Sequence, residues 1–186
     1  MSHKPRIFSL FAFALVLAFS QGSAQAQVVK PFEISGGGPA PQGIFLTPGT
    51  PGIHYATGHA TELDRYSCVG MFQLLGPNTF SSAPYCIFIA EDGDVLACTY
   101  GDVTNGATGP GMITLTPRPD GITFTARFVA EFNPVPALCT GRFAKVTGGS
   151  FIMIATSRPF SLSGTQTSPF VYSWQGDGSL TFKQGR

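Results

Sequence analysis

From residue 53 onward this chain alternates apolar and polar positions with a period of two, and after residue 26 no 3.6-residue apolar stripe is sustained. Helix is therefore expected to be minor. The cleanest segment is Ile122 to Phe132, where Ile122, Phe124, Ala126, Phe128 and Ala130 alternate with Thr123, Thr125, Arg127, Val129 and Glu131. It predicts a strand paired with Met112 to Thr116 through the turn Pro117-Arg-Pro-Asp-Gly121. Earlier, Tyr55, Thr57, His59, Thr61 and Leu63 alternate with Ala56, Gly58, Ala60 and Glu62, and the run Tyr66 to Leu75 places Tyr66, Cys68, Gly70, Phe72 and Leu74 on one side. Glycines inside these runs predict the sharp bending that a closed barrel requires.

Tyr85 to Tyr100 predicts a hairpin at the centre of the fold. Asp92-Gly93 lies between two β-prone runs, and a turn that reverses a twisted strand needs the positive φ that glycine adopts without strain. With Glu91-Asp92-Gly93 as the loop, Ala90 pairs with Asp94 and Cys86 stands opposite Cys98. Cys86, Phe88 and Ala90 then share a face with Leu96, Cys98 and Tyr100. Neither face is markedly polar, which places the hairpin deep in a larger sheet.

Residues 27–52 read as a Gly/Pro-rich extended lead-in, with Gly43 to Thr47 as an edge segment, so the folded β domain is expected over 53–186. Gly101 to Gly111 reads as a loop and Phe151 to Thr156 as an apolar strand. Phe170 to Gln175 and Ser179 to Phe182 suggest a third hairpin around Gly176-Asp-Gly178. The runs number about eight, an all-β pattern that suits an up-and-down barrel or a sandwich.

The first 26 residues change the picture of where the chain resides. Lys4 and Arg6 precede the apolar stretch Ile7 to Phe19, and Ala24-Gln25-Ala26 follows, the layout of a secretory signal peptide cleaved after Ala26. The expectation is a secreted or periplasmic protein. The apolar stretch has 13 residues, short of the roughly 20 a membrane-spanning helix needs, and no integral span is expected in the mature chain. Removing Lys4 and Arg6 from the 11 basic residues leaves nine against ten acidic ones. Without a basic cluster to displace counterions, nucleic acid is not an expected partner. Charged residues make up 11% of the chain, against roughly 25% in ordinary domains.

All four cysteines, Cys68, Cys86, Cys98 and Cys139, follow the cleavage site, and an oxidising compartment favours two disulfides. Three connectivities exist on paper. The hairpin register favours Cys86 with Cys98, leaving Cys68 with Cys139.

Candidate chemistry is sparse. His54 and His59 lie on opposite sides of one strand and cannot share a metal there. No Gly-x-Ser-x-Gly elbow, phosphate loop or dinucleotide fingerprint occurs. Glu91, Asp92 and Asp94 suit weak calcium binding, yet turn formation alone explains them. Glu62, Asp64 and Arg65 read as a polar cluster at a strand bend. Tyr172 and Trp174 share a face and read as core rather than as a sugar-stacking pair. No cofactor, metal or catalytic residue is expected.

The segment Thr140-Gly-Arg-Phe-Ala-Lys-Val-Thr-Gly-Gly-Ser150 resembles the Gly-Thr-Gly-x-Phe-x-x-Ala/Val-x-Gly pattern of allene oxide cyclase and dirigent proteins and of secreted bacterial proteins sharing their calycin-like barrel. Gly58-His-Ala-Thr-Glu-Leu63 and Gly93-Asp-Val-Leu96 occur in the same order as in the bacterial relatives. Cys139 stands where Gly is usual, Asp64 replaces a Gly and Glu62 a His. The resemblance implies a single eight-stranded antiparallel β-barrel, and, since relatives form dimers and trimers, it leaves an oligomer open. The matching residues shape turns, so they license fold and not chemistry. The expected function is a non-catalytic module that binds a small apolar ligand in the barrel or acts as a structural or interaction protein. The expected lining is Tyr55, His59, Phe88, Tyr100 and Phe124. The alternative is a cyclase- or dirigent-like enzyme steering a reactive intermediate by shape.

Overall fold

A computed structural model describes residues 26–184. Apart from Ala26, the predicted export signal lies outside the described residues. The strands are β1 (Gln27–Ala40), β2 (Gly52–Ala60), β3 (Asp64–Gly76), β4 (Thr79–Ala90), β5 (Val95–Tyr100), β6 (Gly111–Pro117), β7 (Thr123–Pro134), β8 (Val146–Ser157), β9 (Phe160–Ser163), β10 (Gln166–Thr167) and β11 (Phe170–Lys183). β1 to β4 pair in sequence, β5 and β6 share the next position as two half-length staves, and β7, β8 and β11 lead back to β1. Every pairing is antiparallel and the ring closes as an eight-stranded barrel. Closure leaves no strand edge around the ring and gives every stave an inside and an outside. β9 and β10 form a small hairpin beside β7, and the β1–β2 connection joins it through the bridge of Phe45 with Gln166.

Both predicted hairpins with strong turn chemistry form, and the one at Asp92-Gly93 takes its expected register. Ala90 N–H donates to Asp94 O and Gly93 N–H to Ala90 O, both at 2.9 Å, with Gly93 at φ +89°. Cys86 stands opposite Cys98. In the second hairpin Ile113 pairs with Phe128 and Leu115 with Ala126.

Two expectations are corrected. Residues 27–40 are a full stave, β1, laddered to β11 from Gln27–Lys183 to Ala40–Phe170. Glycine enrichment there serves close packing: a Cβ on Gly36 would lie 2.5 Å from Tyr66 Oη and 2.8 Å from Trp174 Nε1. Nor does Gly176-Asp-Gly178 turn, for β11 runs straight through it. A Cβ on Gly178 would lie 2.5 Å from Phe151 Cα, so this glycine lets β8 approach the strand.

The expected disulfides are also corrected. All four cysteines are free and buried, with no pair at bonding distance. Although Cys86 and Cys98 are directly opposite, the Cys86 sulphur leans diagonally to Cys68 Sγ, 3.3 Å away. Its partner across the β3–β4 ladder is Gly70, which has no side chain to hold it upright. Cys139 Sγ donates instead to Val135 O at 3.4 Å. Burial pushes the Cys86 and Cys98 thiols well above their usual range, keeping both neutral.

Candidate functional site

The barrel interior is divided along its length. Where β2 turns into β3 and β4 into β5, it is packed solid. Phe32, Phe88, Phe143, Phe151, Leu63, Leu96 and Leu180 are all essentially inaccessible there. Phe32 and Phe151 meet at 4.7 Å between centroids, and Phe132 stacks on Phe151 at 5.2 Å. Phe143 lies in a short 3-10 turn, Gly141–Phe143, whose Arg142 ties this end together from outside. The Arg142 N–H and Nε donate to Asp94 Oδ2 at 2.9 and 3.0 Å, and Nη1 donates to Glu62 O at 3.2 Å. Nη2 is paired with Asp92. Those hydrogen bonds hold the Asp94 carboxyl below the usual carboxylate range. The Asp92 and Asp94 carboxylates are thus engaged by an arginine, and among the described residues no group of three metal-ligating side chains forms.

Toward the opposite end the interior opens into a cavity. Its atom-free space is about 530 Å³ counted out through the mouth, of which about 70 Å³ is open to the centres of water-sized molecules. Aromatic rings, Ala40, Ala130, Ala155 and Met153 line it, and among the described residues its only ionisable groups are His54, Tyr100 and Tyr172.

These three form one network. His54 Nδ1 lies 2.8 Å from Tyr172 Oη and Nε2 lies 3.2 Å from Tyr100 Oη. The Tyr172 hydroxyl also reaches Tyr55 O and the Tyr100 hydroxyl Met71 O, each at 2.9 Å. If both tyrosines donate to these carbonyls, both ring nitrogens must donate, which only an imidazolium can do. Burial opposes that and lowers the His54 pKa to about 4. Desolvating an unpaired cation costs far more than leaving one neutral hydrogen bond unmade, so burial prevails and the ring is neutral at pH 7. One tyrosine therefore turns its proton to the imidazole and releases its carbonyl. Burial likewise raises both phenols well above their usual range, keeping them protonated. Space for the ring comes from Gly70, where a Cβ would collide with His54 Nε2. Below the network, Trp174 Nε1 donates to Tyr66 Oη at 2.7 Å, and the Tyr66 hydroxyl donates to Ser35 O at 3.0 Å.

Of the residues expected to line a cavity, Tyr100 does so. Phe88 is in the packed half, and Phe124 is half-buried near the start of β7 without reaching the cavity. The placement of Tyr55 and His59 is corrected: both face outward from β2, Tyr55 with 42% of its surface exposed, while His54, Ala56 and Ala60 face in. Sequence reasoning passed over His54 as a cavity residue, although the small Ala56 and Ala60 share its face and small side chains suit a crowded interior. No known family, curated protein or solved structure matches this chain.

Proposed function

We propose that this protein is an exported, non-catalytic β-barrel that holds one small apolar molecule in the open half of its interior. The observation that carries the reading is the cavity: walled by apolar and aromatic side chains, sealed below by packed phenylalanines and open above. Ligand sites in barrels have this form, largely apolar with few polar groups. Binding is favoured over a shape-steering enzyme because the protons of His54, Tyr100 and Tyr172 are engaged with one another and with a main-chain carbonyl. Kinship with the allene oxide cyclase and dirigent barrels belongs to the same proposal. It is supported by the order of the segments Gly58–Leu63, Gly93–Leu96 and Thr140–Ser150 along a barrel of the same strand number.

Trp174 is the single tryptophan and lies in the cavity wall, so its emission is a built-in reporter. Titration with dissolved xenon, an apolar probe small enough for the cavity, together with native mass spectrometry of protein purified from the exporting host, tests the proposal. A saturable change in Trp174 emission or a retained small molecule is expected. Neither signal, from protein shown to be folded, would refute it.

A further inference from the structure

Building on the proposed binding role, we infer that the cavity selects an uncharged, single-ring aromatic molecule without strong hydrogen-bonding groups. Size is the first reason. At roughly 10–15 Å³ of centre-accessible volume per water, the 70 Å³ available holds about five to seven water-sized groups, the bulk of one substituted ring.

Exhaustion of the wall's hydrogen-bond donors is the second. With His54 neutral, its one N–H donates to one tyrosine oxygen, one tyrosine hydroxyl donates to the other ring nitrogen and the second to its carbonyl, and the Trp174 N–H is taken by Tyr66, so every donor of the wall is spent. The oxygen of a ligand hydroxyl or amide therefore finds no free donor and must break one of these bonds or go unpaired. Among the described residues no lysine, arginine, aspartate or glutamate lines the cavity, so a carboxylate or an ammonium would lose its water with nothing charged to replace it.

The character of the wall is the third. Nine of the thirteen lining side chains carry aromatic rings. Their faces and edges are presented at varied angles: His54 meets Trp174 at 85° and 6.0 Å, and Phe80 meets Tyr100 at 60° and 5.9 Å. A flat ring finds edge-to-face partners on several sides, which a saturated ring of equal volume does not.

Saturation-transfer NMR and Trp174 fluorescence on the whole exported protein, with toluene, methylcyclohexane, phenol, benzoate and phenyltrimethylammonium as probes, test the inference. Toluene is expected to bind best, methylcyclohexane more weakly, and phenol at least about tenfold more weakly, the equivalent of one unmade hydrogen bond. The two ions should give no saturable signal. Ala155→Leu, which extends a side chain into the cavity, should weaken toluene binding at least about tenfold without lowering the melting temperature. Ala130→Ile, two ladder positions away, narrows it independently. Benzoate, phenol or the ammonium binding as tightly as toluene would overturn the assignment of ligand class while leaving the binding role standing. Toluene affinity unchanged in both folded variants would overturn the assignment of site. Failure of all five probes and of xenon would overturn the binding role itself.

Discussion

The two halves of this barrel are built from the same kinds of residue and do opposite things with them. In the sealed half, Phe32, Phe88 and Phe151 pack against one another and leave essentially no accessible surface, and Phe143 and Leu63 are buried with them. In the open half, Phe80, Phe128 and Phe170 stand around a space they do not fill. The difference lies in what makes up the wall. Toward the open end it includes a histidine held between two tyrosines, whose polar atoms must meet partners at the wall and so cannot collapse inward. A polar network at this level acts as a spacer, and the sealed half supplies the rigidity that lets the cavity persist.

The largest effect expected from that contrast is in large-to-small substitutions. Phe151→Ala should destabilise the protein by about 4 kcal/mol, because a close-packed core cannot collapse around the vacancy. Phe128→Ala should cost about 2 kcal/mol less, since part of that ring already lacks neighbours. Urea unfolding of both variants measures the difference, and equal losses would erase the distinction between the halves.

Acid should come next. His54 is neutral in the folded protein down to about pH 4, while in the unfolded chain it takes up a proton near pH 6.5. The stability this contributes is complete above about pH 6.5 and declines as the pH falls toward 4, by about 3 kcal/mol in all. Urea midpoints for wild type and His54→Leu, followed from pH 7 to pH 4, should show that component only in the wild type. Leucine leaves both tyrosines free to donate to Met71 O and Tyr55 O.

Gly70→Ala sharpens the same point from the backbone. The new methyl meets the imidazole, and displacing a packed ring should cost about 1–3 kcal/mol. The histidine ring resonances of the variant should shift with it, whereas a spectrum unchanged at His54 would show that the glycine is not what seats the ring. The smallest effect belongs to the outer strap. Arg142→Gln should let the Asp94 carboxyl pKa rise toward its ordinary value, read by NMR titration, and should remove stability that is present at neutral pH and lost as the pH falls through the carboxylate range. The cavity should be untouched, because the strap is at the other end.

The hairpin at Asp92-Gly93 was readable to the residue, down to Cys86 opposite Cys98, because a tight turn sets its own register. The sulphur pairing was not readable. It depends on the neighbouring stave, where Gly70 leaves Cys86 to lean toward Cys68. Glycines at 36–38, 176 and 178 carried a misleading local message, since composition reports flexibility and a closed barrel uses the same residues for close approach. The cavity was half legible. Tyr100, Tyr172 and Trp174 were placed on their faces by alternation, but His54 was passed over for His59, because both faces of β2 carry a histidine and period two does not say which face is inside.

Alternation, turn residues and the absence of helical periodicity were enough, by themselves, to determine an all-β chain with its local hairpins, since those signals act across a few neighbouring residues. Closure decided the rest: which face of β2 turns inward, that 27–40 is a stave, and that an imidazole between two phenols keeps one end of the barrel open. Each of these depends on residues more than a hundred positions apart, such as His54 and Tyr172, meeting only when β11 pairs with β1 and the ring is complete.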